Sequence, residues 1–212
     1  MADEPADLAP PAADLDRRAA AIGLAIVLLI VAGLRLVPLF ALDWPLGDGG
    51  LVHAMIGDLL VAGLALPEVT SYQGGDIPFA YPPLAFYVGA ALETAGLDRA
   101  AILRYVPALL SVAAVGAMYL VAAELGSSRR HALVATAFFG ALIGITDVLS
   151  SGGGLTRSMG LLLALLATWR GLRMLRTSRA LDVVLTAVLA GLAVLSHPQA
   201  GVFVVIAYHS LE

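Results

Sequence analysis

Residues 20–42 read AAIGLAIVLLIVAGLRLVPLFAL, an apolar run broken by a single charge, Arg35. An α-helix rises about 1.5 Å per residue, so this run is long enough for the roughly 30 Å hydrocarbon core of a bilayer. A helix satisfies its own backbone hydrogen bonds, which lipid cannot do, and the run therefore predicts a crossing helix. Arg17 and Arg18 precede it, and cationic residues stay on the cytoplasmic side, so the span is expected with its N-terminus inside. A cleaved signal peptide would be shorter and would end in a small-residue cleavage site.

The rest of the 212-residue chain is of the same kind, 60% apolar and only 13% charged, with a mean hydropathy of +0.91. Soluble domains carry about twice that charged fraction. Membrane β-barrels show short alternating segments instead of long apolar runs. The expected class is therefore all-α integral membrane, a helical bundle of five to six transmembrane helices. There is no Cys, which excludes disulfides, thiolate catalysis and Cys-ligated metals. All twelve basic residues are Arg; they form no basic stripe interleaved with aromatics, so nucleic acid is not an expected partner.

Residues 1–18, rich in Pro, Ala and Asp, predict a disordered cytoplasmic N-terminus. Residues 19–210 form the transmembrane module. Further apolar runs cover 100–125, 131–149, 157–175, 181–195 and 201 onward, and 84–97 is apolar but short for a span. The positive-inside rule decides how that short segment is read. If it crosses, Arg17, Arg18, Arg99, Arg104 and Arg157 are cytoplasmic, against six Arg outside. If it stays on the outer face, the cytoplasmic set grows to eight, Arg17, Arg18, Arg129, Arg130, Arg170, Arg173, Arg176 and Arg179, leaving three outside. The second topology is expected. It makes 43–99 a non-cytoplasmic loop with interfacial helices, on the same face as the turns 147–157 and 196–198. Val52, Met55, Ile56, Leu59 and Leu60 recur at helical spacing, so 51–65 reads as an amphipathic helix lying in the interface. The chain ends partway through an apolar segment, and Leu211-Glu212 reads as a cloning scar on a fragment of a longer protein.

The loop from Asp43 to Pro83 holds five acids and no Lys or Arg. Asp48, in DWPLGDGGLVHAM (43–55), is a candidate general base for an acceptor hydroxyl or a metal ligand; Asp before Gly-Gly equally suits a helix N-cap. Asp147 and Arg157 bracket a Ser- and Gly-rich turn whose backbone can approach a ligand closely, and Arg is well fitted to phosphate. Arg35 and Arg104 lie in or at the edge of apolar spans, where charges face a bundle interior or a wet cavity, and either could meet an anionic head group. His197, at the outer end of a span, is a candidate proton carrier or hydrogen-bond donor, or simply a structural helix-end residue. Tyr72, Phe79, Tyr81, Phe86 and Tyr87 read as an interfacial aromatic belt, with Tyr81-Pro82-Pro83 starting the 84–97 helix. No His pair has the spacing of a zinc site.

An N-in span with an Arg near its outer end, a loop with an early acid, a YPPL corner and an Arg early in the next span together resemble the GT-C superfamily of integral-membrane glycosyltransferases. That superfamily includes protein O-mannosyltransferases and lipid A aminoarabinose transferases. The segments DGGLVHAMIGDL (48–59), IPFAYPPLAFY (77–87) and GGGLTRSMGLL (152–162) look especially like large bacterial members, and the resemblance covers residues 17–210. It implies a sugar transferred, with inversion, from a polyprenyl-phosphate-linked donor to an acceptor on the non-cytoplasmic face of the plasma membrane. Asp48 and Asp147 would be the catalytic acids, Arg104, Arg157, His197 and Tyr81 would hold the lipid-linked phosphate, and a divalent cation (Mg or Mn), if used, would sit on Asp48 and Asp147. The chain departs from the pattern in following Asp48 with Gly-Gly, where many relatives have a second acid, and in Tyr81-Pro82, where many carry a charge. Outside the enzyme class stand a lipid-binding or transport protein and a non-catalytic scaffold. Transport folds are commonly built from internal repeats, and none is found in the sequence.

Overall fold

The computed structural model describes residues 12–41, 48–75, 77–126, 128–142 and 153–209, and it is helical throughout apart from one two-stranded pairing. Among the described residues eight helices follow in order: α1 (Ala12–Phe40), α2 (Gly49–Val61), α3 (Leu84–Thr94), α4 (Arg99–Glu124), α5 (Arg129–Ala141), α6 (Gly154–Thr177), α7 (Ala180–Ser196) and α8 (Pro198–His209). Between α2 and α3, β1 (Val69–Thr70) and β2 (Ile77–Pro78) pair antiparallel, Val69 opposite Pro78 and Thr70 opposite Ile77.

Among the described residues three helices are long and apolar enough to cross a membrane: 16–40 of α1, α4 and α6. This makes the chain a multi-pass membrane protein by helix length and composition. α7 is apolar but has 17 residues, and α3 has 11, about 16 Å at helical rise, too short to cross. α5 ends at Ala141, so the expected 131–149 span is described only in its first part.

Local signals set the ends of the elements. Asp98 caps α4 by accepting the Ala101 amide at 2.9 Å, and Ser128 caps α5 through the His131 amide. α3 and α4 stop before Gly96 (φ 99°) and Gly126 (φ 84°), left-handed positions that favour glycine. α1 begins at Ala12, inside the stretch read as an irregular leader. α6 begins at Gly154 rather than Arg157, which puts Arg157 one turn into the helix.

α6 is the centre of the packing. Its Leu155 and Met159 join Val52, Met55, Ile56 and Leu59 of α2, Ala85, Phe86 and Ala90 of α3, and Leu103 of α4. Further along, Leu165 and Leu172 pack with Ala114, Ala117 and Val121 of α4. On another side Ala164 and Ala167 meet Ala193 of α7 and Ala200 and Val204 of α8. Small side chains let these backbones come close: a Cβ added at Gly160 would lie 3.0 Å from the Cβ atoms of Ala200 and His197. α1 packs at the periphery, against α4 and α5.

Two expectations for the loop change. The α2 stripe is buried against α3, α4 and α6, so it faces protein, and the interfacial reading of that face does not hold. The aromatics form a cluster more than a belt: Phe86 is fully buried, with Phe79 and Tyr81 edge-on to it at 5.4 and 6.2 Å, and the Tyr87 hydroxyl donates to the Leu64 carbonyl. Pro83 lies just ahead of α3, its carbonyl accepting the amides of Phe86 and Tyr87.

The hairpin is fastened to α2 by Asp58, which accepts the Thr70 hydroxyl at 2.7 Å and the Ser71 amide at 2.8 Å. Partial burial pushes the Asp58 carboxyl upward, but the hydrogen bonds from Ser71 and Thr70 and the Arg99 charge outweigh it and hold the group below its ordinary range. Arg99 in turn ties α2 to α3 and α4. It grips Glu93 with two nitrogens at 2.6 and 2.8 Å, donates to the His53 carbonyl at 3.1 Å, and lies where a side chain at Gly57 would be.

Candidate functional site

Asp48 stands at the N-cap position of α2, and its carbonyl accepts the Val52 amide, but its carboxylate makes no capping bond. The side chain turns instead to Arg157, whose Nη2 donates to Oδ2 at 3.1 Å. Backbone economy permits this approach. A Cβ at Gly153, directly ahead of α6, would lie 2.7 Å from the Asp48 Cβ, so only a glycine there leaves room for Asp48. The carboxylate consequently sits by the start of α6, where unpaired amides favour negative charge.

Asp48 lines a small half-open cleft of about 10 Å3, room for a single water-sized group. Val52 and Met55 of α2 and Phe86 of α3 give it apolar walls; Tyr81 and Thr156 add polar groups. Thr156 is buried and donates to the Gly153 carbonyl at 3.4 Å. In the sequence Thr156 carries no signal of its own beyond its place between the glycine turn and Arg157.

His197 joins from the opposite side of the chain order. It lies in extended backbone between α7 and α8 and is buried, with its ring 6.3 Å from that of Tyr81. The Gln199 amide donates to Nδ1 at 3.2 Å, which leaves the proton of the neutral imidazole on Nε2. Burial, and then the positive charge of Arg157, hold His197 below its ordinary pKa and favour that neutral form.

Four of the six residues that the resemblance assigns to the site thus come together: Asp48, Tyr81, Arg157 and His197. Arg104 does not join them by any contact; its Nε donates at 2.8 Å to the Leu39 carbonyl, and Nη2 shares the same oxygen, so it secures the end of α1 to α4. Asp147 lies outside the described residues. Among the described residues no three His, Asp or Glu side chains converge as a metal site. Arg35, by contrast, is 2% exposed, on a buried stripe with Val31 and Leu39, and its three guanidinium nitrogens meet no hydrogen-bond partner among the described residues.

The arrangement offers a carboxylate at a cleft mouth, an Arg with donors to spare, and a neutral imidazole N–H nearby. That combination suits proton abstraction beside an anionic group. No protein-family model, curated protein or solved structure matches the chain.

Proposed function

We propose that this chain is the membrane module of a GT-C-type inverting glycosyltransferase, moving a sugar from a polyprenyl-phosphate-linked donor to an acceptor on the non-cytoplasmic face of the plasma membrane. What carries this is the contact between Asp48 and Arg157: a carboxylate and a guanidinium, distant in sequence, meet beside a cleft at the end of a helix long enough to cross a bilayer. The lipid tail of the donor stays in the membrane while its head group reaches the cleft.

Asp48 takes the proton of the acceptor hydroxyl as general base. The hydroxyl oxygen attacks the anomeric carbon from the face opposite the leaving group, and the polyprenyl phosphate departs with the bonding electron pair. Arg157 binds the phosphate oxygens, because a planar guanidinium matches phosphate with paired donors. His197 adds a neutral donor from Nε2, and Tyr81 packs on His197 and bounds the cleft. Asp147 is the second acid of this scheme, and Arg104 steadies the span behind the site. The accompanying topology has five to six spans with the N-terminus cytoplasmic and the 43–99 loop outside, as the Arg distribution favours.

The test is transfer from radiolabelled polyprenyl-phosphate sugars by the protein in liposomes, with membrane extract as acceptor. Asp48→Asn is expected to cut transfer by about 100-fold or more while thermal unfolding is unchanged. Undiminished transfer by that variant overturns the assignment of the base. Arg35 favours a second reading, a non-catalytic lipid-binding protein, because a buried cation in a span with no hydrogen-bond partner among the described residues calls for an anionic ligand. It predicts bound anionic lipid and no turnover of any polyprenyl-linked sugar.

A further inference from the structure

The Asp48–Arg157 contact has one property that a working base and a working phosphate ligand should not share: each occupies the other. The contact is a single N–O pair at 3.1 Å, with the Asp48 side chain 56% exposed and that of Arg157 28% exposed. A guanidinium has five N–H donors, and this bond engages one. Exposed single-contact ion pairs are weak, and a phosphate offering two oxygens to the same fork is a stronger partner than one carboxylate oxygen.

The geometry points to a substrate-released latch: Asp48 is the internal stand-in for the donor phosphate on Arg157, and phosphate binding displaces it and frees it as the base. The latch rests on the glycosyltransferase reading for the identity of the phosphate. Until a donor arrives, Arg157 holds Oδ2 of Asp48 and keeps the carboxylate turned toward the start of α6. When a phosphate monoester or diester takes the guanidinium, Asp48 loses its only hydrogen-bond donor among the described residues. Repulsion from the phosphate turns it toward the open side of the cleft. No bond is made or broken in this step; one anion replaces another on a cation. The base is thus delivered only with the donor bound, which guards a lipid-linked sugar site against premature proton abstraction.

The experiment measures affinity for dodecyl phosphate, with inorganic phosphate and dodecyl maltoside as comparison ligands, on the full chain in detergent. Asp48→Asn removes the internal competitor and is expected to tighten dodecyl phosphate binding about fivefold, the free-energy scale of an exposed pair. Arg157→Gln weakens binding, and on that background Asp48→Asn gives no further gain. A gain that persists without Arg157 is simple charge repulsion and overturns the latch. In the wild-type protein, carbodiimide modification of Asp48, read by peptide mass spectrometry, should rise when dodecyl phosphate saturates; an unchanged yield also overturns it. Tightening by inorganic phosphate equal to that by dodecyl phosphate assigns the site to free phosphate, and a stronger effect of the alkyl ester assigns it to a lipid head group. If the wild-type protein binds no phosphate ligand at all, the donor assignment itself fails, whereas binding without an Asp48→Asn gain removes the latch alone.

Discussion

Arg35 brings a guanidinium into the packing of α1 against α4 and α5 without meeting a hydrogen-bond acceptor among the described residues. Its neighbours one turn away in either direction, Val31 and Leu39, are buried apolar residues, while Leu34, Val37 and Phe40 face outward. A desolvated cation without a partner destabilises the protein, and an apolar side chain of similar length would not. Arg35→Met is therefore expected to stabilise the lipid-free protein by about 1–4 kcal/mol, seen as a higher unfolding temperature in detergent. A lower unfolding temperature would mean that the guanidinium has an anion to hold. His197 gives a pH signature of the opposite kind. Its folded-state pKa lies below the ordinary value of about 6.5, so the unfolded chain binds its proton more readily. The stabilisation is complete above pH 6.5 and is lost as pH falls through the lower folded value. His53 is depressed too, by partial burial and then by Arg99, and contributes in the same window. Unfolding temperatures at pH 8 and pH 5.5 should differ less in His197→Asn than in the parent protein.

At the scale of the element, the loop between α1 and α4 depends on one carboxylate. Asp58 holds both Thr70 and Ser71, and the two-residue strands have little pairing of their own. Asp58→Ala should cost about 1–3 kcal/mol and should remove hydrogen-exchange protection from the Ser71 amide before that of α2 is affected. Equal loss across both elements would show that they unfold as one unit. The helices here were legible to different degrees. α4 matches the apolar run 100–125 to within a residue, because hydropathy, Asp98 and Gly126 all speak for the same ends. The hairpin was not legible: four paired residues give no alternation, and their anchor lies twelve residues earlier in a helix. The α2 stripe was visible, but periodicity says only that a face is apolar, not whether lipid or Phe86 and Leu155 will cover it. For Asp48 the sequence allowed both cap and ligand, and only the position of Arg157, 109 residues away, separates them.

The whole molecule turns on α6, which shares a core with α2, α3, α4, α7 and α8. Its contact with the 197–200 corner passes through Gly160, where a larger side chain must displace Ala200 and His197. Gly160→Val should destabilise the protein by about 1–3 kcal/mol and lower transfer as well, because His197 moves with the corner. Stability lost with transfer intact would separate His197 from the site. The convergence of Asp48, Tyr81, Arg157 and His197 belongs to this scale as well. Each was named from its own chemistry, but the meeting depends on helix packing that no local pattern encodes. The central position of α6 also bears on how the chain is made. Ribosomes add roughly 5–20 residues per second, so the 53 residues from Glu124 to Thr177 take roughly 3–10 s. During that interval α2, α3 and α4 have been synthesised but their shared partner has not. The faces that α6 covers, Val52 and Met55 on α2, Phe86 on α3 and Ala114 and Ala117 on α4, are therefore complete only once α6 has been made.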